Sequence, residues 1–279
     1  MIPLKFLSLP PGFPQIIVNN ILAIFRRELQ QYFFSPVSFV FATLFWFLGG
    51  IFFVNLLVGP QGIVTAVVLE QQRGIPLPPM DMAAEFLHLF WGIMGALSLF
   101  LLPLLSMGLY TEERRQGTLE LLATSPLTNW SVAVGKLLGV VTFYSVLLVP
   151  MVLWELIILS AAQPAFPLGL FLLMHVGVVL LAAAVLSLGM FVSSLTESSL
   201  IAAIMTFSLV LLLWLLDLLG DRLTGGLGET IKHLSLLKHY NNFLNGIVDS
   251  SSLILLSSYI VLGVVLTAQS IEYLRFARR

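Results

Sequence analysis

Six long apolar runs divide the chain, and each is long enough to cross a membrane. They cover approximately residues 37–57, 86–109, 131–159, 167–193, 199–219 and 253–271. A helix needs roughly 20 mostly apolar residues to cross the hydrocarbon core, where every backbone amide must be satisfied within its own segment. The alternating strands of a membrane barrel do not occur. The pattern predicts an all-α integral membrane protein in which residues 1–279 form one domain with six transmembrane helices.

A different pattern precedes the first run, in QIIVNNILAIFRRELQQYFFS at residues 15–35. At about 100° per residue, its apolar and polar side chains separate onto two faces. The apolar face holds Val18, Leu22, Phe25, Leu29 and Phe33, and the polar face holds Asn19, Asn20, Arg27, Gln30 and Gln31. The segment predicts an amphipathic helix in the plane of the lipid headgroups, ended by Pro36. The alternative is an ordinary cytoplasmic helix, which would need a partner to cover its apolar face.

Two connections on the same side of the membrane are long. Residues 220–252 are too interrupted to cross, but their second half is apolar at helical spacing, which predicts a re-entrant or interfacial helix pair before the last span. The apolar positions are Leu234, Leu237, Phe243, Leu244, Ile247 and Val248. A flexible surface loop is the alternative. Residues 58–84 contain GPQG and GIPLPP and are predicted to be mostly irregular.

Composition agrees with a membrane protein. Hydrophobic residues make up 58% of the chain and charged residues 10%, whereas soluble domains contain about 25% charged residues. A chain this poor in charge cannot cover itself against water. The absence of cysteine excludes disulfides, thiol chemistry and Cys-based metal sites. The first 15 residues are broken by proline and are not expected to form a signal peptide.

The distribution of Lys and Arg predicts the orientation. Nine of these residues fall on the side that holds both termini, and four on the other. The nine are Lys5, Arg26, Arg27, Arg114, Arg115, Lys136, Arg275, Arg278 and Arg279; the four are Arg73, Arg222, Lys232 and Lys238. Both termini are therefore predicted to be cytoplasmic, in a multi-pass protein of the bacterial inner membrane. The loop between the second and third spans then also lies in the cytoplasm.

That loop, TEERRQGTLELLATSPLTNW at 111–130, is the most charged patch of the chain. Gly117 interrupts the preceding helix, Thr118 can cap a new one, Glu120 suits its positive start, and Pro126 stops it. The result is a helix of about two turns, which is not stable alone in water. Its apolar positions are Leu119, Leu122 and Ala123. An exposed apolar patch in a short loop predicts a partner protein.

The segment TEERRQGTLELLATSPLT resembles the cytoplasmic loop between spans two and three of type-2 ABC (ATP-binding cassette) exporter permeases. The resemblance extends to the first helix, ending RRELQQYFFSP, to the six spans, and to LSLLKHYNNFLNGIVD before the last span. The most similar subgroup is that of the gliding-motility and nitrous-oxide-cluster permeases. The Glu112–Pro126 motif is fairly specific, whereas six spans alone are not.

The resemblance implies that the short helix is a coupling helix, which sits in a groove on a separate ATPase subunit. Leu119, Leu121 and Leu122 would contact the groove, and Glu112 and Glu113 would make polar contacts at the base of span two. The implied coupling set comprises Glu112, Glu113, Gly117, Thr118, Leu119, Glu120, Leu121, Leu122 and Pro126. The implied partners are the ATPase, a second permease copy or related chain, the lipid bilayer and an accessory extracytoplasmic subunit. No nucleic-acid partner is expected.

The chain has no GxxxxGK[ST] motif, because Gly135-Lys136 lacks both the upstream glycine and the following Ser or Thr. ATP and Mg²⁺ are therefore expected on the partner subunit, with no cofactor on this chain, and the chain is predicted not to be an enzyme. The leading function is the membrane subunit of an ATP-driven exporter. The alternative is a non-transporting membrane scaffold or an integral membrane enzyme.

Four ionisable residues inside the spans are candidates for function. His88 and Asp217 lie within reach of the headgroups and are interpreted as snorkelling side chains. Glu155 and His175 lie deeper on adjacent spans, and one hypothesis is that they meet in an external vestibule; snorkelling to the headgroups is the alternative. Two small-residue pairs, Gly135 with Gly139 and Gly189 with Ser193, permit close helix approach without saying which helices pack.

Overall fold

The computed structural model describes residues 13–74, 81–118, 128–162, 167–222 and 226–277. These residues form helices and connections, with no strand among them. The helices are α1 (Phe13–Phe34), α2 (Pro36–Val58), α3 (Ile63–Gln72), α4 (Met82–Ser106), α5 (Gly108–Arg115), α6 (Asn129–Leu159), α7 (Leu168–Leu195), α8 (Ser199–Arg222), α9 (Gly226–His233), α10 (Leu236–Leu244) and α11 (Ser250–Ala277).

Six segments are long and apolar enough to cross a membrane, so the all-α fold with six membrane-spanning helices is confirmed. They are Pro36–Gln72, Met82–Arg115, Asn129–Leu159, Leu168–Leu195, Ser199–Gly220 and Ser250–Tyr273. The second segment is interrupted at Met107, between α4 and α5. Pro103, which has no N–H to donate, lies one turn earlier. The second segment is therefore two consecutive helices, with a break just before the charged loop.

The prediction that residues 58–84 are mostly irregular is wrong for α3. Pro60 and Gly62 do separate α2 from the next residues, but the ten residues that follow, IVTAVVLEQQ, contain neither Pro nor Gly. With no breaker, these residues resume a helix from an extended Gly62. The helix ends before Gly74, whose φ of 68° is a conformation that favours glycine. Residues 75–80, which hold most of GIPLPP, lie outside the described residues.

Helix α1 packs along the start of α6 rather than standing apart from the spans. Gly135 and Gly139 of α6 leave the necessary room, because a Cβ on either would press against Ile24 or Glu28 of α1. The small-residue pair therefore brings these two helices together. The apolar side chains that α1 still exposes are Ile16, Val18, Leu22, Phe33 and Phe34. This face suits lipid, and the position of α1 at the membrane surface stays a prediction.

Helix α7 lies at the centre of the bundle, in contact with α4, α6, α8, α10 and α11. Small side chains let its neighbours approach. A Cβ on Gly263 of α11 would meet the backbone of Ser187, and a Cβ on Gly189 would meet Ser106 of α4. Ser187 Oγ also donates to the backbone oxygen of Tyr259, 3.1 Å away. Since neighbours contact α7 on all sides, its side chains from Leu181 to Met190 are almost entirely buried.

Two short helices, α9 and α10, occupy the 220–252 connection, where the sequence predicts a helix pair. The buried face of α10 differs from the predicted one: Leu236, His239, Tyr240, Phe243 and Leu244 are buried, whereas Leu234, Ile247 and Val248 are exposed. The Tyr240 hydroxyl donates to the backbone oxygen of Trp91 at 2.6 Å. Gly95 leaves the space that the Tyr240 ring fills. Helix α10 is thus inserted against α4 and α7 as part of the core.

A buried histidine joins α10 to the start of α11. His239 Nε2 donates to the backbone oxygen of His233 at 3.0 Å, which requires a proton on Nε2. His239 Nδ1 then accepts from Ser252 Oγ at 2.9 Å, and Ser252 Oγ accepts from Asn242 Nδ2 at 2.9 Å. The neutral ring therefore has a hydrogen-bond partner for each of its two nitrogens.

Below about pH 6.5, the ordinary pKa of histidine, we expect stability to fall because of His239. Burial lowers the pKa of His239 in the folded protein. As pH falls, His239 therefore becomes protonated in the unfolded chain before it does so in the folded protein. Its contribution to folding stability is complete above the ordinary pKa and is lost as pH falls toward the lower pKa of the folded protein. Thermal unfolding in detergent at a series of pH values should show a shallower acidic decline for H239Q than for wild type. Equal slopes in H239Q and wild type would contradict the assignment.

Candidate functional site

Three charged side chains meet inside the protein where α1, α5 and α6 converge. Nζ of Lys136 lies 2.7 Å from Glu28 Oε1 and 3.0 Å from Glu113 Oε1. Lys136 and Glu28 are each only 3% exposed, so these ion pairs are shielded from water. We call Glu28, Glu113 and Lys136 the charge triad. It links the helix before the first span to the end of the second and the start of the third.

Lys136 makes two further contacts that stabilise its charge. Nζ donates to the backbone oxygen of Leu109 at 2.9 Å and lies 5.0 Å from the centre of the Tyr110 ring, within cation–π range. Removing an ion from water costs several kcal/mol, and only paired, hydrogen-bonded geometry offsets that cost. Lys136 meets this condition. The two carboxylates depend on it, because loss of the ammonium group would leave both buried without their cation.

The triad carries one more negative than positive charge, and an exposed arginine lies near its second carboxylate. Two carboxylates face one ammonium group, and Arg27 Nη2 lies 4.0 Å from Glu113 Oε1. The Arg27 side chain is 66% exposed, so water screens this contact and its contribution is small. Glu113 Oε2 is buried without a hydrogen-bond partner among the described residues. Glu113 is therefore the less completely satisfied carboxylate of the triad.

A cavity of about 80 Å³ adjoins the triad between α1 and the α4–α5 junction. Its lining includes Glu28, Tyr32, Ser38 and Glu112. The Tyr32 hydroxyl donates to the backbone oxygen of Leu105 at 3.1 Å. Burial, and secondarily the negative charges of Glu28 and Glu112, raises the pKa of Tyr32 well above its ordinary value. The phenol thus keeps its proton and holds α1 to the end of α4.

The opposite side of α5 is attached to the turn between α7 and α8. Arg114 Nη1 donates to the backbone oxygen of Ser194 at 2.7 Å, and the hydroxyls of Thr111 and Ser199 lie 2.8 Å apart. The backbone N–H of Tyr110 donates to Ser193 Oγ at 3.2 Å. Helix α5 is thus held on one side by the triad and on the other by this turn. The start of the charged loop has a defined position in the bundle.

Among the predicted coupling residues, Glu112, Glu113, Gly117 and Thr118 are described, whereas Leu119, Glu120, Leu121, Leu122 and Pro126 lie outside the described residues. Helix α5 ends at Arg115, and Gly117 has φ of 71°, the left-handed conformation typical of the residue after a helix. Glu112 is exposed, while Glu113 faces inward onto Lys136. Of the two predicted polar contacts, Glu112 is the one available to a partner.

The second predicted group, Glu155 and His175, is brought together by α6 and α7. His175 Nε2 lies 3.3 Å from Glu155 Oε2. Glu155 is completely buried, and the His175 side chain is 14% exposed. The carboxylate therefore faces protein in this structure, and its place in an external vestibule stays a prediction. His88 and Asp217 are half-buried on α4 and α8 and do not join this group.

The sequence interpretation did not recognise the charge triad as a site. In the sequence, Lys136 enters the predicted orientation and the exclusion of a GxxxxGK[ST] motif, and Glu28 is assigned to neither face of the first helix. A signal existed, because Lys136 is the one charge in the apolar run SVAVGKLLGVV and therefore needs a buried partner. The identity of that partner depends on how α1 crosses α6. Among the described residues, no group of His, Asp and Glu is arranged to hold a metal ion.

The fold defines a multi-pass α-helical membrane protein with a charged loop anchored between its second and third spans. Comparison with protein families then identifies the class: residues 22–279 match the ABC-2 family transporter protein. The chain therefore belongs to the ABC-2 transporter family and is a permease-type membrane subunit, which is not itself an enzyme. ABC-2 permeases pair with an ABC ATPase. No curated protein shows significant similarity to the chain.

Proposed function

We propose that this chain is the permease subunit of an exporter, driven by an ATPase that binds the 111–126 loop. The observation that supports this most directly is the anchoring of α5 by the charge triad and by the α7–α8 turn. A loop that only connects two spans needs no such buried attachment. A loop that receives force from a partner does, because an unattached loop would move without moving the spans.

In this proposal, the segment from Thr118 to Pro126 forms a coupling helix on the ATPase. Leu119, Leu121 and Leu122 enter an apolar groove, and Glu112 adds a polar contact from the exposed side of α5. Closure of the ATPase on ATP displaces the helix. Because α5 continues from α4 and is bonded to α6 through Lys136, the displacement passes to the second and third spans. Glu113 does not contact the ATPase in this proposal; its ion pair with Lys136 holds α5 in position.

Two permease chains, or this chain and a related one, would face each other around the transport path, with ATP and Mg²⁺ bound by the ATPase subunits. Within the family, the chain resembles most the subgroup of gliding-motility and nitrous-oxide-cluster permeases. An accessory extracytoplasmic subunit would contact the 220–252 connection. Few charges occur in the spans, which favours an amphiphilic or lipid-like substrate over a highly charged one.

Co-purification tests the proposal. The chain, expressed with an ABC ATPase encoded beside it and extracted in mild detergent, should elute as a complex with two ATPase subunits and two 30.8-kDa permease chains, or one of each of two related permeases. Native mass spectrometry reports the composition, and reconstituted vesicles report ATP hydrolysis and outward movement of labelled lipid-like substrates. A monomeric permease that transports without any ATPase would contradict the proposal.

The proposed orientation predicts opposite accessibility of two exposed positions. The chain has no cysteine, so single cysteines at Gln116 and Ser250 would be the only thiols. In intact cells, a membrane-impermeant maleimide should label S250C, and Q116C should react only after the membrane is permeabilised. Labelling of both positions from the same side would contradict the six-span topology. Labelling of Q116C alone in intact cells would reverse the proposed orientation.

A further inference from the structure

A second buried polar cluster lies between α4, α6 and α7, away from the charge triad. It contains Glu155 of α6, His175 of α7 and the indole of Trp91 of α4. The Trp91 and His175 ring centres are 4.5 Å apart, and His175 Nε2 lies 3.3 Å from Glu155 Oε2. The cluster combines a carboxyl group and an imidazole inside a membrane-spanning bundle, where ionisable groups are rare and costly.

The hydrogen bond of His175 determines the tautomer of its ring. Nδ1 lies 2.7 Å from the backbone oxygen of Phe171. A carbonyl oxygen only accepts hydrogen bonds, so Nδ1 must carry a proton. In the neutral ring, Nε2 is then an unprotonated acceptor, and this is the atom that faces Glu155 Oε2 at 3.3 Å.

This tautomer makes the fully deprotonated pair unfavourable. An ionised Glu155 beside a neutral His175 would direct lone pairs at each other, at 3.3 Å, and would leave a net negative charge in the bundle. A second proton would instead leave an imidazolium beside a neutral acid, with a net positive charge. Both states bury an uncompensated charge, whereas one proton gives a neutral pair.

Among the described residues, Glu155 and His175 form an ion pair only with each other. On the neighbouring helices, α2 has no titratable residue, and α7 has none besides His175. Tyr240 of α10 lies near Glu155, and Tyr144 of α6 lies near Tyr240. Among the residues whose side chains are described, the other titratable positions on helices that contact α6 or α7 are Arg26, Arg27, Glu28 and Tyr32 on α1, Glu85 and His88 on α4, Tyr110, Glu112, Glu113, Arg114 and Arg115 on α5, Lys136 on α6, Asp217 and Arg222 on α8, Lys238 and His239 on α10, and Tyr259, Glu272 and Tyr273 on α11. Tyr240 uses its proton to bond Trp91, so it cannot neutralise Glu155.

Four polar atoms in the cluster lack a hydrogen-bond partner among the described residues: both carboxyl oxygens of Glu155, Nε2 of His175 and Nε1 of Trp91. A proton between Glu155 and His175 would form a hydrogen bond between the Glu155 carboxyl group and Nε2 of His175. We propose that Glu155 and His175 form a buried binding site for a single proton, occupied at neutral pH. The site is distinct from the coupling loop and from the charge triad.

The site has a consequence for transport, and this second step rests on the proposed function. Its two halves belong to different spans, so the proton is held only while α6 and α7 are in contact. A conformational change that separates these helices must let water reach Glu155 and His175, and each group then titrates independently. Occupancy of the site therefore favours the conformation in which α6 and α7 are packed, and pH shifts the balance between conformations.

The proton count can be measured without an ATPase or a substrate. In the full chain reconstituted in lipid nanodiscs at neutral pH, infrared difference spectra between wild type and E155Q report whether the Glu155 carboxyl group is protonated. Nitrogen-15 NMR reports the protons on His175, assigned among the four histidines by their loss in H175Q. We expect one shared proton: either a carboxylic acid with unprotonated Nε2, or a carboxylate with a doubly protonated ring.

An ionised Glu155 beside a neutral His175 would overturn the proposal, as would two protons on the pair. E229Q, which alters an exposed carboxylate on α9, should leave both signals unchanged. If E155Q does not fold, H175Q alone suffices. Without its imidazole partner, Glu155 should show the carbonyl band of a protonated acid, and an ionised Glu155 in that variant would mean that the site is not dry.

The coupling step has its own measurement. In the complex with its ATPase, wild-type ATP hydrolysis should vary with pH over the range in which the pair titrates, and E155Q should lose that variation while E229Q keeps it. Identical pH profiles in wild type and E155Q would overturn the coupling but not the site. Failure of any ATPase to bind would contradict the proposed function and leave the spectroscopic result intact.

Discussion

Replacing Lys136 with methionine should destabilise the protein severely. Methionine keeps much of the length of the side chain and removes the charge, so Glu28 and Glu113 lose the ammonium group that lies 2.7 and 3.0 Å from them. Breaking a buried ion pair by removal of one partner costs about 3–5 kcal/mol, a large fraction of the stability of a typical fold. We expect low accumulation in the membrane and a strongly lowered unfolding temperature in detergent.

The charge triad supplies its own control. The triple variant K136M/E28M/E113M removes all three charges and leaves apolar side chains in their place, so it should recover most of the stability lost in K136M. Replacing a buried ion network with well-packed apolar residues of similar volume often changes stability little. Exposed Arg27 provides a second control, since R27M should change stability by no more than a surface ion pair contributes, roughly 0–1 kcal/mol. Wild-type stability of K136M would show that water reaches the triad.

The double variant L119D/L122D should reach the membrane normally and fail to retain the ATPase. The two leucines lie three positions apart, so on a helix they share a face, and in the proposal only the partner buries them. Burying a leucine contributes about 1.5–3 kcal/mol. Loss of both, with two carboxylates placed in an apolar groove, should weaken docking by several kcal/mol. Co-purification measures the retained ATPase, and ATP hydrolysis stimulated by transport should disappear.

Two controls separate docking from folding in this experiment. L119M/L122M keeps the apolar character and should retain the ATPase. Q116D adds a negative charge beside the apolar pair, on the exposed residue that follows α5, and should have a small effect. A double aspartate variant that still co-purifies with its ATPase and still transports would mean that the segment is ordinary loop structure and that the ATPase docks elsewhere.

The two predictions test successive parts of one path. The leucines concern the contact between subunits, and the charge triad concerns the attachment of the loop to the spans. A milder triad variant, E113Q, keeps the closer pair between Lys136 and Glu28 and loosens only α5. If α5 transmits the motion of the loop, E113Q should retain the ATPase while the link between ATP hydrolysis and transport weakens.

The six spans and the helix before them follow from the sequence alone. Long apolar runs have one stable solution in lipid, because backbone groups there must bond within their own segment. The helix pair between the fifth and sixth spans was also predicted from its apolar periodicity. The prediction failed at α3, since proline and glycine at both ends of residues 58–84 concealed ten residues without a breaker. Breakers mark where a helix stops and do not exclude a helix between them.

The pairing of Glu28 with Lys136 was decided only by the tertiary structure. Glu155 and His175 were expected to meet because adjacent spans joined by a short loop are neighbours, and they lie 3.3 Å apart. Glu28 and Lys136 are 108 residues apart in the chain, and nothing in their local sequence relates them. They meet because Gly135 and Gly139 let α1 cross α6 closely. Apolar periodicity determines which segments are helices, whereas the crossing of two helices depends on the shapes of both surfaces, and these exist only once the helices are packed.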